Sequence, residues 1–151
     1  MLAIHQQKQR LDELFKAART VSDVEMQSHW SRYLCVLVSG FLENSVELCL
    51  SEYSRRVTNA AVSNFVSAKL RGFQNPKMGV ILELFGSFNP EWRAQIEAAT
   101  QGQLSDSVNS IVGNRHKIAH GESVSLSMSG IAAYYKDAVA VIELLQRTCG
   151  V

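Results

Sequence analysis

The residues of this chain best suited to chemistry are gathered in Arg115-His116-Lys117-Ile118-Ala119-His120-Gly121. An imidazole, with an unperturbed pKa of ~6.5, can accept or donate a proton near neutrality. A guanidinium keeps its charge throughout and presents a planar fork of donors that fits phosphate oxygens, which an ammonium would not reproduce. Together these groups suit proton transfer beside a developing negative charge.

The element that must position them is a helix. Val108, Ile111, Val112, Ile118 and Ala119 recur at three- and four-residue spacing, which predicts a helix from about Ser105 to His120 with one apolar face. Arg115 falls on that stripe. Burying an unpaired charge costs at least several kcal/mol, so Arg115 requires a buried partner, or else its face is an interface or a cleft. Gly121 is suited to end the helix in the left-handed conformation, leaving His120 in the last turn beside solvent. Arg115 and His120 lie roughly 140° apart around a helix axis, so one helix cannot aim both at a single point. Two copies meeting at a twofold axis can pool two of each in one cleft.

Composition bounds the rest. At 151 residues the chain fits one domain, residues 1–151, and 46% hydrophobic with 19% charged residues is a globular composition. Fifteen basic against fourteen acidic residues leave a net charge of +1, so affinity for phosphate must come from a local patch. Cys35, Cys49 and Cys149 are odd in number and form no CxxC pair, which disfavours a disulfide framework or zinc knuckle and fits a reducing cytoplasm. The opening residues MLAIHQQKQR are too polar for a signal sequence. The apolar run from Tyr33 to Leu50 is interrupted by Glu43, Asn44 and Glu47, and reads as a buried helix with no membrane span.

In chain order, a first helix is expected from about Leu2 to Arg19. Ser22-Asp23-Val24-Glu25 matches a capping box and starts a long helix to about Arg56, apolar on most sides, hence central to its bundle or covered by a second subunit. Thr58 or Asn59 can cap a third helix to Leu70. Asn75-Pro76 and Asn89-Pro90 each read as a helix start with Pro at the first position. Thr100 to Gln103 reads as a loop, Glu122 to Ser129 as a Ser-rich link, and about Ser129 to Arg147 as the last helix. The fold class is all-α, an antiparallel bundle of about four main helices plus short ones.

The motif resembles the signature of HEPN domains, and most closely the RiboL-PSP-like branch, in which an Arg-Asn-x-x-Ala-His-Gly string is usual. Here His116 stands where that branch more often has Asn. The Glu43-Asn44 pair on the long helix and the Tyr134-Tyr135 pair on the last helix extend the likeness to roughly residues 23 to 147. The resemblance implies a helical bundle that dimerises so that the two motif helices face each other. Its activity would be metal-independent endoribonuclease cleavage, of the toxin or antiviral-defence type, with no cofactor. The catalytic pair carries over to Arg115 and His120 and the family's intervening polar position to His116, with a supporting role for Glu43 and Asn44; beside the motif residues, Asn114 and Lys117 are further candidates for positioning substrate. The implied partners are RNA, a second copy of the chain, and a neutralising antitoxin or other defence-system protein. Other members of the family bind RNA, a nucleotide or a protein without cutting, which is the rival reading.

Plainer readings stand beside these. Arg115 could pair with a Glu of the long helix, and His120 could simply favour the helix dipole. His116 and His120, four apart, make half a metal site, with only Glu122 in support. Lys69, Arg71, Lys77 and Lys117 could touch phosphates, though scattered lysines are ordinarily solvated surface. Tyr134 and Tyr135 read as packing before base stacking, and Cys35 and Cys49 as core fillers.

Overall fold

A computed structural model describes residues 1–151. It contains helices and no strand: α1 (Leu2–Ala18), α2 (Val24–Val57), α3 (Ala60–Leu70), α4 (Met78–Phe88), α5 (Pro90–Thr100), α6 (Gln103–Ala119) and α7 (Met128–Cys149). The four longest, α1, α2, α6 and α7, form the bundle expected from sequence, and α3, α4 and α5 are short.

The long helix α2 is the centre. Leu34, Cys35, Val38, Leu42, Val46, Cys49 and Leu50 are fully buried along it. Their burial each removes apolar surface worth about 1.5–3 kcal/mol per large side chain, and α1, α3, α6 and α7 all draw on it. By length and composition α2 is the one helix that could cross a membrane, and just over half of its most apolar window (56%) is buried in the bundle.

Helix directions follow from a few contacts. Phe41 packs near Tyr135, with ring centroids 6.5 Å apart. Arg56 donates through Nη1 to the Gly150 carbonyl at 2.8 Å, a separation of 94 residues. The same offset at both places means that α2 and α7 run parallel, with Asp137 level with Glu43. Asp137 is nearly buried and accepts from Ser107 Oγ at 2.6 Å and from Gln103 Nε2 at 3.1 Å. Further along, the Cys35 thiol donates to the Ile111 carbonyl at 3.6 Å. As α6 proceeds from Ser107 to Ile111 it therefore descends along α2 towards the start of α2, and its C-terminus reaches that end of the bundle.

Several helix boundaries differ from expectation. The cap of α2 is Asp23, whose Oδ1 accepts from the Met26 N–H at 2.8 Å, and not Ser22. Asn59 caps α3 and Asn89 caps α5, with Pro90 at its first position as the Asn-Pro pair predicts. Asn75-Pro76 starts no helix. Asn75 is left-handed (φ 55°), and its N–H is taken by Glu43 Oε1 at 3.1 Å. Helix α4 begins two residues later at Met78, whose N–H goes to Asn109 Oδ1 of α6 at 2.9 Å. Tertiary partners outcompete the local start signal there. Helix α6 begins at Gln103 and not Ser105, because Gln103 reaches back to Asp137. The Ser-rich link closes at Ser127, which caps α7 through its Oγ, and α7 runs on to Cys149 before the left-handed Gly150 (φ 69°) stops it.

Candidate functional site

Two buried anchors on α6, Ile111 and Val112, precede the motif by one turn. Beyond them the core runs out: Ile118 is half-buried against it, and Ala119, expected on the apolar stripe, is exposed. Arg115 thus sits where the buried face gives way to solvent. It is half-buried and forms no hydrogen bond or ion pair, so the internal Glu partner that a buried arginine would need is not there.

Closure of the helix fixes the histidine. Gly121 is left-handed (φ 71°). Its N–H donates to the Ile118 carbonyl at 3.1 Å, and the Glu122 N–H to the Lys117 carbonyl at 2.9 Å. This is the paired closure of a Schellman motif, and it satisfies carbonyls that would otherwise face water unpaired. His120 is the capping residue. Its N–H donates to the His116 carbonyl at 3.1 Å, and its ring lies against that of His116, with centroids 4.4 Å apart and planes inclined at 57°. Both imidazoles are exposed, as is Lys117.

The motif residues are not all brought together. His116 and His120 form one pair. Arg115 projects roughly 140° from His120, and Asn114 roughly 160° from His116, so Asn114 and His116 serve opposite sides of α6. Glu43 and Asn44 are not placed to support the motif. From the Cys35–Ile111 contact, Arg115 lies roughly 6 Å along the bundle one way and Glu43 roughly 12 Å the other. Glu43 holds the Asn75 linker. Asn44 faces α1 in a cavity of ≈ 330 Å³ shared with Gln7 and Arg10. Arg115, His116 and His120 line none of the five principal cavities. Within one chain His116, Lys117 and His120 are exposed at the end of α6, with Asn114 and Arg115 half-buried beside them.

Other candidates take structural places. Tyr135 stacks on Phe15, with centroids 4.6 Å apart, and its hydroxyl donates to Asp12 Oδ1 at 2.8 Å. Burial and the Asp12 charge push its phenol well above its usual range. Lys69 lies over the Phe65 ring at 5.5 Å on α3. All three cysteines are free and buried, and burial pushes the Cys35 thiol up to about 11 and Cys49 and Cys149 to about 12. No group of three or more His, Cys, Asp or Glu side chains converges on a point where a metal ion could bind. The residues that sequence reasoning overlooks are those that hold α6 in register: Gln103, Ser107 and Asp137 at its start, and Asn109 against the linker. Their partners lie about thirty residues away along the chain, so no local pattern announces them.

A search of curated proteins and a search of solved structures each return no match. A family model described as RiboL-PSP-HEPN matches residues 4–150, nearly the whole chain and the motif with it. With that match across the helical bundle, the chain belongs to the RiboL-PSP-HEPN family.

Proposed function

We propose that this protein is a metal-independent endoribonuclease whose active site is assembled from two copies of the chain. HEPN domains often carry ribonuclease activity. The observation that carries the reading is Arg115, half-buried yet free of any carboxylate, on the same helix end as two exposed imidazoles in mutual contact. A purely structural arginine would be expected to have a partner.

Metal-free cleavage requires a base, an acid and a cation. The RNA 2′-oxygen attacks phosphorus while an imidazole takes its proton, the bond to the 5′-oxygen breaks, and a second imidazole gives that oxygen a proton. The products are a 2′,3′-cyclic phosphate and a 5′-hydroxyl. Two facing copies supply one His120 as base and the other as acid, and the Arg115 guanidiniums meet the charge that builds on the phosphorane oxygens. His116 orients His120, and Asn114 and Lys117, one turn apart on one flank of α6, contact the strand. That Arg115, His116 and His120 line none of the five principal cavities of a single chain supports a site completed by a second subunit. The same exposed groups would also serve a module that binds RNA, a nucleotide or a protein without cutting.

The test is incubation with RNA in EDTA. Wild type cuts, and His120→Ala and Arg115→Ala lose about 10²-fold or more in rate. Binding without cleavage supports the non-catalytic module instead, and cleavage lost in EDTA points to metal chemistry. If the protein acts as a toxin or a defence effector, its expression arrests growth, His120→Ala relieves the arrest, and a neutralising protein partner is expected.

A further inference from the structure

We infer that Arg32 is a second phosphate-binding guanidinium of the same site, standing across the α2–α6 seam from Arg115. The inference rests on the ribonuclease reading and extends it to how the strand is held. The contact between the Cys35 thiol and the Ile111 carbonyl sets the register of the two helices. From that pin, Arg32 lies three residues towards the start of α2, roughly 4.5 Å, and Arg115 four residues towards the end of α6, roughly 6 Å. Because the helices are antiparallel, these are the same direction, and the two arginines stand at nearly one level.

They also share a flank. Arg32 and Glu43 are eleven residues apart on α2, roughly 20° around its axis. Glu43 binds the linker at Asn75, so Arg32 is on the side of α2 that the linker crosses. The linker reaches α6 through Asn109 and Met78. Arg115 lies on the same side of Ile111 as Val112 and Asn109 do.

The chemistry of Arg32 fits the role. It has no acid within reach on its own helix, where Ser28, His29, Cys35 and Val36 occupy the neighbouring positions three and four residues away. Its guanidinium folds back towards the motif end of the bundle, giving Nε to the Ser28 carbonyl at 3.3 Å and Nη2 to Ser28 Oγ and His29 Nδ1 at 3.4 Å. These are long bonds with no carboxylate among the partners, and Nη1 has no partner. The nearest acid on that stretch, Glu25, is turned to His29 at 4.0 Å. At the opposite end of α2, by contrast, Arg55 forks onto Glu52 at 2.7 and 2.9 Å, Arg56 adds one bond through Nε at 2.8 Å, and together they hold its carboxyl down at about 2. Two guanidiniums without a carboxylate partner, carried by residues at one level, repel each other unless an anion lies between them. The phosphate next to the scissile one in an RNA strand is such an anion, and a bidentate arginine suits it.

The test measures binding of a fluorescent single-stranded 2′-deoxy oligonucleotide, which cannot be cut, and cleavage of its RNA counterpart. Arg32→Gln raises Kd and KM by about tenfold, leaves kcat within about twofold, and reduces the slope of log affinity against log salt by about 0.7. Arg32→Lys keeps the stem and the charge, so it restores the salt slope but only part of the affinity. Arg147→Gln, an equal charge change at the far end of α7, changes neither. Affinity and salt slope unaltered in Arg32→Gln, or equally altered in Arg147→Gln, overturn the inference while wild-type cleavage leaves the ribonuclease reading standing. A wild-type protein that neither binds nor cuts RNA overturns both. Loss in Arg32→Gln with full recovery of affinity in Arg32→Lys shows a need for charge alone and overturns the bidentate role.

Discussion

The rings of His116 and His120 lie in contact, their centroids 4.4 Å apart and their planes at 57°, at the exposed end of α6. Four residues apart on a helix, they stand one above the other, and each restricts the rotamers of the other. His116 therefore acts on His120 first by contact. His116→Ala is expected to slow single-turnover cleavage about tenfold by loosening the neighbouring ring, since small misplacements are costly in rate. His116→Phe keeps the ring contact without a titrating group and is expected to retain most of the rate. Equal losses in the two variants would show that His116 works through its nitrogens.

Gly121 is expected to be the most sensitive position that touches no substrate. Its φ of 71° is left-handed, and a Cβ there would meet open space, so the penalty of Gly121→Ala is purely conformational. It should cost about 1 kcal/mol in thermal or denaturant unfolding. Because the closure around it fixes His120, cleavage should fall further than stability does. Gly121→Asn, which tolerates this conformation better, should lie between the two.

The Asp12–Tyr135 bond ties α1 to α7 and makes stability depend on acid. Burial alone would raise the Asp12 carboxyl, but hydrogen bonds from Lys8 and Tyr135 outweigh it and hold the group below its usual range. A depressed carboxyl contributes stability that is present above its unfolded pKa and is lost as pH falls through the folded one. Unfolding measured from pH 6 down to pH 2 should show that loss. Tyr135→Phe, which keeps the stacking on Phe15, should cost about 1 kcal/mol at neutral pH and reduce the acid dependence.

Asn109 is expected to matter beyond its own helix. Its side chain is the cap that α4 lacks locally, accepting from Met78 at 2.9 Å. Asn109→Ala should destabilise the protein by about 1 kcal/mol, and amide exchange at Met78 and its neighbours should quicken before that of the bundle core. Uniform quickening throughout would mean that the linker is not held in this way.

The bundle was legible where the signals are local. The apolar arc of α2, Asn89-Pro90 and the Gly121 stop depend on residues within a turn or two of one another, and each has its expected place. Asn75-Pro76 misleads because Glu43 and Asn109, distant in sequence, claim the backbone there. The motif itself could be read, and so could its exposure at a helix end. Arg32 shows the limit. Its lack of an acidic neighbour can be seen in the chain, but its level with Arg115 is set by the Cys35–Ile111 contact, which joins residues 76 apart. The resemblance gives Glu43 a supporting role, but the direction of α6 sets it roughly 18 Å along the bundle from Arg115, where it binds the Asn75 linker instead.

The most direct measurement mixes subunits. Wild-type and His120→Ala chains are co-expressed with different tags, and the mixed dimer is isolated beside each parent. If one cleft draws on both copies, with one His120 as base and the other as acid, the mixed dimer keeps only one of the two imidazoles and cuts far more slowly than half the wild-type rate. A mixed dimer that keeps about half of the wild-type rate, as two independent sites would give, or full wild-type activity from a chain shown to be monomeric at the assay concentration, would contradict a site shared between two copies.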